Sequence, residues 1–363
     1  MKFKTHAFYI FGIVDFQEQM SVIIQSLRCK NNVWVCMFDS LYKKRQFYYY
    51  DSADIVKFVS DVCYKNTLKR PSIDFYEVDS KTRFELDFKH YNPDVVFLHG
   101  AYHKYPRWYP HSGKAKVVHF AWGPESPLDK SNYKINLNIV RREQDISAYK
   151  NFSIDTKYFG NLRLESLKYK TVFNSFNLKL LEGKKVCFLS ETHIRTSAPG
   201  FKKYPEMVDG LLNVLREEGY TTIWKIREKG FPKEGWASPL DYISNTPDFV
   251  VERDLNFPSS LYLIPSIADM SIIFNGTAAF FDLVDISKNV VVIRTPDLSA
   301  GKTKKMLKAY SSVSEGSYHL IVDPEIGRLR EQLFSYGRVG SNPHSIDNPS
   351  SAPSKKILGY IEN

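Results

Sequence analysis

Residues Ile267–Arg294 read IADMSIIFNGTAAFFDLVDISKNVVVIR, and this stretch decides the fold class. Ser271–Phe274 is an apolar run of strand length, and Asn275-Gly276-Thr277 is a small polar turn. A helical pattern carrying Asp282 follows, and Asn289–Ile293 is a second apolar run. Two strands apolar throughout, joined by a helix, form the pattern of a parallel βαβ unit covered on both faces. At such a strand-to-helix turn, small residues let backbone N–H groups approach a phosphate, and the helix dipole favours its charge. Thr277 adds a hydroxyl donor, and Asp282 lies where a carboxylate accepts from ribose or sugar hydroxyls. The same residues also make an ordinary tight turn, with Asn275 or Thr277 as helix N-cap and Asp282 solvated.

The alternation extends outward in both directions. Upstream, LEGKK (181–185) predicts a hinge-like link into a strand at Val186–Leu189. A helix over 203–218 closed by Gly219 comes next, then a strand Thr221–Ile226, a loop at 229–240 and a short strand Phe249–Glu252. A helix Ser259–Ile267 leads into the opening stretch; a helix near 303–311, a strand at 318–322 and a helix at 324–336 follow it. In the first half, HAFYIFGIV (6–14) predicts a buried strand, 16–29 a helix on Met20, Ile23, Ile24 and Leu27, and NNVWVCMFD (31–39) the next strand. Helices at 51–64 and 80–90 flank a strand near 73–78, and Asn92-Pro93 ends the second helix. Strands are expected at Asp94–Leu98, Lys116–Ala121, Ile135–Val140 and Thr156–Phe159. The expected architecture is α/β: two Rossmann-like doubly wound domains facing a cleft. Their limits are expected at 1–165 and 184–337, with a linker at 166–183. Residues 338–363 read as a C-terminal tail, Ser-, Pro- and Asn-rich over 338–354, whose Lys355–Ile361 would dock back on the first domain.

Composition fits this reading. A chain of 363 residues, 43% apolar and 25% charged, suits two folded domains. The apolar run Ala7–Val14 is much shorter than the ~20 residues of a membrane span, and no cleavage signature follows it. Cys29, Cys36, Cys63 and Cys187 form no CxxC pair and sit in apolar context, as reduced buried thiols of a cytoplasmic protein do. The formal net charge of +10 suits a phosphorylated substrate or an anionic membrane surface. Scattered basic residues without a zinc-finger or RNP-like signature argue against nucleic acid.

Phe274-Asn275-Gly276-Thr277-Ala278-Ala279-Phe280-Phe281-Asp282 resembles the donor-binding segment of GT-B-fold glycosyltransferases, in particular the CDP-glycerol glycerophosphotransferase and capsule-polysaccharide transferase groups. It departs from them in having Asn-Gly-Thr where a Ser-Ser pair is common. YFGNLRLESL (158–167) is similar to the Gly-x-x-Arg/Lys-x-(Asp/Glu) element ending the N-terminal domain in those groups, with Gly160 and Arg163 at the matching positions. Lys225-Ile226-Arg227 stands where such strands often read Lys-x-His. The resemblance implies a donor-binding C-terminal domain, with Asn275, Gly276, Thr277 and Asp282 on the nucleotide sugar. Arg195, Lys225 and Arg227 would lie on the diphosphate, neutralising it as it leaves. Lys225 and Arg227 also read as outward-facing residues of a half-exposed strand. The N-terminal domain would then bind a glycan or lipid-linked acceptor in bacterial surface polysaccharide synthesis, peripheral to the inner membrane face.

Transfer to an acceptor needs a base, and two carboxylates are candidates. Asp15 follows the first strand, where it also suits a helix N-cap. Glu125 lies in HFAWGPE (119–125), where Trp122 is placed to stack on a sugar and Pro-Glu also suits a helix start. The loop HGAYHKYPRWYPH (99–111) offers His103, Arg107 and Trp108 to an acceptor. Metal binding by His99, His103 and His111 lacks a companion carboxylate at helical spacing. No DxD-like pair follows a strand, so the expected chemistry uses no metal or other cofactor, only the donor as substrate. Two alternatives stay open. One is a sugar-nucleotide 2-epimerase-like enzyme, which VVVIRTP (290–296) resembles at its strand end; the other is a non-catalytic glycan- or nucleotide-binding protein.

Overall fold

Strand β1 (Thr5–Ile10) is buried from His6 onward, as a strand covered by helices on both faces must be. It ends at Ile10, so residues 13–14, expected in the strand, instead open the following helix. The computed structural model describes residues 3–10, 13–38, 52–77, 79–99, 114–121, 135–152, 154–172, 177–190, 194–195, 197–198, 201, 203–226, 236–251, 256–274, 279–295, 318–335 and 352–362. The chain divides into unit 1, Met1–Val172 with Asp347–Asn363, and unit 2, Phe173–Ile346.

In unit 1, β1 is followed by α1 (Ile13–Arg28), β2 (Asn32–Phe38), α2 (Ser52–Thr67), β3 (Ser72–Tyr76), α3 (Lys81–Tyr91) and β4 (Val95–His99). Then come β5 (Lys116–Phe120), β6 (Leu137–Ile139), β7 (Thr156–Lys157) and a short helix α4 (Leu162–Ser166). The sheet runs β3-β2-β1-β4-β5-β6-β7 with every pair parallel. The chain builds outward from β1 to β3, then returns to the other side of β1 with β4. That reversal makes the carboxyl edge between β1 and β4 the switch point, where ligands bind in such sheets.

The high aromatic content has a structural use here. On one sheet face alternate residues Tyr9, Trp34, Phe38 and Tyr76 meet Phe84 and Phe88 of α3 in a buried cluster. Trp34 stacks on Tyr91 at 4.4 Å, and its indole N–H donates to Asp74 at 2.9 Å. On the opposite face Phe8 stacks on Phe97, ring centroids 4.4 Å apart. Edge-on and offset rings contribute about 0.5–1.5 kcal/mol per pair beyond burial, so this half relies on aromatic packing.

His6 is buried on this second face, with Nδ1 2.8 Å from Ser26 Oγ of α1. Burial is the main cause that pushes its imidazole down to about 4; Lys4 adds to the shift and Asp94 opposes it. The ring is therefore neutral when folded and charged when unfolded below pH ~6.5. Its contribution is present above that pH, is lost progressively as pH falls, and saturates near the folded value. About 3 kcal/mol should disappear between pH 6.5 and 4. Urea midpoints at pH 7.5 and 5 check this: His6→Gln should flatten the difference, and an unchanged difference would exclude His6 as its source.

Unit 2 repeats the plan. It contains β8 (Lys185–Ser190), β9 (Ile194–Arg195), α5 (Lys203–Glu217), β10 (Tyr220–Lys225), β11 (Trp236–Ala237), β12 (Phe249–Val251), α6 (Ser260–Ile267) and β13 (Met270–Phe274). It continues with α7 (Ala279–Ile286), β14 (Val290–Arg294), β15 (His319–Val322) and α8 (Leu329–Phe334). The main sheet runs β12-β10-β8-β13-β14-β15, again parallel, with its switch point between β8 and β13. β9 and β11 form a separate antiparallel bridge. α5 carries Tyr204, Met207, Val208, Leu211, Leu212 and Leu215 on its buried stripe, the i, i+3, i+4 pattern of a helix laid on a sheet. It stops at Gly219, whose φ of 76° suits a residue without Cβ.

The last helix, α9 (Pro353–Glu362), belongs to unit 1. It buries Ile357, Leu358 and Ile361, and Lys116 Nζ donates to the Ile361 carbonyl at 2.8 Å. Tyr360 donates to Asp155, and Asn31 to Glu362 at 3.1 Å. Thiol placement corrects one expectation: Cys36, Cys63 and Cys187 are buried, but Cys29 is exposed because it lies just beyond the end of α1. The expected helix near 303–311 lies outside the described residues.

Candidate functional site

The switch-point edge of unit 1 gathers buried charge. His99, the last residue of β4, is fully buried, and its Nε2 contacts Glu18 Oε2. Glu18 lies in the second turn of α1, on the helix that follows the neighbouring strand β1. Arg163 of α4 contacts its other oxygen through Nη2, and Arg141, just past β6, approaches the same oxygen to 3.5 Å through Nε. Burial alone would push the Glu18 carboxyl up; Arg163, His99 and Arg141 more than reverse this and hold it well below the usual carboxylate range. A carboxylate so stabilised has little drive to take a proton and suits a general base poorly.

Beside this cluster a small cleft is lined by Glu18, Arg141 and Arg163 together with Phe120, Ala121 and Gly160. Two guanidinium groups and one carboxylate border it, so its wall carries an excess of positive charge. The Gly160–Glu165 segment works as a clip. Asn161 caps α4 by accepting from Arg163 N at 3.0 Å and Leu164 N at 3.3 Å. Gly160 has φ 115° and lies so close to α9 that a Cβ would meet Pro353 Cγ at 2.7 Å; only glycine fits. Glu165 turns the other way and accepts from Ser354 N at 2.8 Å and Ser354 Oγ at 2.6 Å, at the start of α9. One five-residue helix therefore ties the cleft wall to the chain's last described helix.

The corresponding edge of unit 2 ends in Ser190 of β8, which pairs in register with Lys225 of β10 on one side and Ile273 of β13 on the other. Lys225 is only 8% exposed, and its Nζ donates to the Ile226 carbonyl at 3.0 Å. Asp282 is buried in the first turn of α7, where the helix dipole favours a carboxylate. A serine, a lysine and a carboxylate thus belong to strands and a helix that meet at this switch point.

No family model matches the chain, and no curated protein matches it. Its likeness is to solved structures. The calicheamicin glycosyltransferase CalG4 has TM-score 0.55 and 11% identity, the likeness covering 100% of this chain and 98% of that one. The UDP-GlcNAc 2-epimerase from Neisseria meningitidis, solved with UDP-GlcNAc bound, has TM-score 0.55 and 14% identity over 99% of this chain and all of that one. S. aureus MnaA, solved with UDP, has TM-score 0.54 and 13% identity over 99% of this chain and 96% of that one. The chain has the GT-B fold.

Within this GT-B chain the sequence-derived candidates fall into three groups. Lys225 and Asp282 are placed as described, and both correct an alternative reading. Lys225 does not face outward from a half-exposed strand, because β10 is an inner strand of the sheet; Asp282 is buried rather than solvated. For Asp15 and Arg195 the backbone is placed. Asp15 is the third residue of α1, inside the helix rather than at its cap, and Arg195 pairs in β9 with Trp236. His103, Arg107, Trp108, Trp122, Glu125, Arg227, Asn275, Gly276 and Thr277 lie outside the described residues, as does His111. His99 is engaged with Glu18. Glu18 and Arg141 were missed. No local signal singles out Glu18, although α1 carries an unusual run of buried polar residues in Gln17, Glu18, Gln19 and Ser21.

Proposed function

We propose that the chain is a sugar-nucleotide enzyme, a glycosyltransferase moving a sugar from a nucleotide-activated donor to a glycan or lipid-linked acceptor. Its setting would be bacterial surface polysaccharide synthesis. The observation that supports this most is the GT-B fold, with Ser190, Lys225 and Asp282 belonging to elements that meet at the switch point of unit 2. In this reading Lys225, Arg195 and Arg227 carry the donor diphosphate without a metal, and Asn275, Gly276, Thr277 and Asp282 hold the rest of the donor. The acceptor oxygen forms a bond to the anomeric carbon as the bond to the diphosphate breaks. The hydroxyl proton passes to Asp15 or Glu125, and the nucleotide leaves with the bonding pair. His103, Arg107, Trp108 and Trp122 serve the acceptor.

A second reading is favoured by the likeness to the N. meningitidis epimerase over its full length: isomerisation of the donor sugar with no acceptor. Thermal shifts against UDP, CDP, CMP, GDP and ADP test what both readings share. At 100 times Kd, the matching nucleotide should stabilise the chain by about 2.7 kcal/mol, and Lys225→Ala should reduce that shift. No shift with any nucleotide at saturation overturns both readings. Incubation of UDP-GlcNAc with enzyme alone then separates them: an isomerised sugar assigns the epimerase, and an intact donor supports the transferase.

A further inference from the structure

On the side of the unit 1 sheet where strands begin, three chain segments come together. α1 ends at Arg28 and turns through Lys30 into β2; α2 ends at Thr67 and turns through Leu68, Lys69 and Arg70 into β3; the residues after α4 add Lys168 and Lys170. Hydrogen bonds join them. Arg28 Nη2 donates to the Asn66 carbonyl at 3.2 Å and Lys69 Nζ to the Leu27 carbonyl at 3.3 Å. Lys65 Nζ donates to the Thr171 carbonyl at 2.6 Å, and the Asn66 side chain pairs with the Lys170 backbone in both directions.

The result is a face of exposed cations: Lys65 of α2 and the six just named on the turns. Among the described residues none of these forms an ion pair. The carboxylates near this face are Asp61, one turn before Lys65; Glu165, three residues before Lys168 but buried and bonded to Ser354 and Tyr169; Asp74, paired with Arg83; and Glu362, which accepts from Asn31. Two apolar side chains project from the same face, Leu68 at 77% exposure and Tyr64 at 47%. Leu68 has φ 59° and Lys30 φ 64°, the left-handed conformation that follows many helices and normally selects glycine. Here a leucine and a lysine occupy it despite the strain.

We propose that this face docks on a membrane leaflet rich in anionic lipid, with Leu68 and Tyr64 entering the interface and the cations lying over the headgroup phosphates. Cations around an exposed aliphatic residue match such a surface, where each Lys or Arg strengthens binding about fivefold. A single-stranded nucleic acid fits it less well, because bases need open planar side chains to stack on. Leu68 has none, and the Tyr64 ring is covered by the Arg70 guanidinium at 4.9 Å. The proposal concerns attachment alone and does not depend on the chemistry of either sugar reading.

Flotation of the full chain with vesicles tests it, using phosphatidylcholine alone and phosphatidylcholine with one third phosphatidylglycerol. Binding is expected only to the anionic vesicles, and it should weaken as salt is raised. Lys65→Gln, Lys69→Gln and Lys168→Gln together should reduce it about a hundredfold, at about fivefold each. Leu68→Asn should reduce it severalfold while leaving the melting temperature unchanged or higher, because asparagine tolerates the left-handed turn. Equal binding to neutral vesicles would overturn the proposal, as would wild-type binding by folded variants. Tight RNA binding lost in the same variants, with no vesicle binding, would assign the face to nucleic acid instead.

Discussion

Glu18→Ala is expected to destabilise unit 1 by roughly 3–5 kcal/mol, the cost of breaking a buried ion pair from one side. The substitution removes the carboxylate facing His99 and Arg163 and takes the Glu18 partner away from a guanidinium whose residue is 6% exposed. Hydrogen exchange at the β1 and β4 amides reads the loss within unit 1, where a whole-chain melting curve would mix two units. A double variant, Glu18→Leu with Arg163→Met, should recover part of the loss, since a paired apolar replacement leaves fewer buried charges. A loss below about 1 kcal/mol for Glu18→Ala would show that the cluster is solvated and contributes little. The pH sign follows from the depressed carboxyl: its contribution is complete above the unfolded value near 4.3 and is lost as pH falls below it. This window lies under that of His6, so acid weakens unit 1 in two successive stages.

Removing residues 353–363 should have an effect of similar size. Ile357, Leu358 and Ile361 are each at most 3% exposed, and burying such a side chain is worth about 1.5–3 kcal/mol. Their loss costs on the order of 5 kcal/mol, taken at the lower end of that range. It also removes two of the hydrogen bonds the buried Glu165 carboxylate accepts, those from Ser354, leaving the one from Tyr169. The truncated chain is expected to lose protection across α1 and α4 while β8 and β13 of unit 2 keep theirs. Uniform protection in both units would show that α9 is dispensable. Ser354→Ala is the milder form, expected to cost about 1–2 kcal/mol through loss of the hydroxyl bond to the buried Glu165 carboxylate.

Much of the fold was legible because its causes are local. The helical run SVIIQSL (21–27) and the strand run VVVIR (290–294) differ in period, and Gly219 and Asn92-Pro93 mark ends by backbone geometry alone. Strand order was legible only as a class, since it depends on which strands pair, and pairing is settled by the whole sheet. Lys225 shows how local reading fails. Alternation in TTIWKI suggests one wet face, but an inner parallel strand has none, and its terminal lysine folds back on a carbonyl. The ion cluster was invisible for another reason. Glu18, His99, Arg141 and Arg163 come from four separated segments, and each alone reads as an ordinary helix or loop residue. Among the contacts of Glu18, Arg163 stands out in the sequence only through its resemblance to a family element, and His99 only as one of three loop histidines weighed for metal binding, neither through any property of its neighbours.

The return of α9 to unit 1 also sets an order of events during synthesis. All of unit 2 leaves the ribosome before α9 does, so unit 1 waits for its final helix while its partner is already complete. At about 5–20 residues per second the wait lasts roughly 10–35 s. Throughout it, the groove for Ile357, Leu358 and Ile361 is open to solvent, a target for chaperones. Slowing translation across residues 173–346 should therefore lower the yield of native chain.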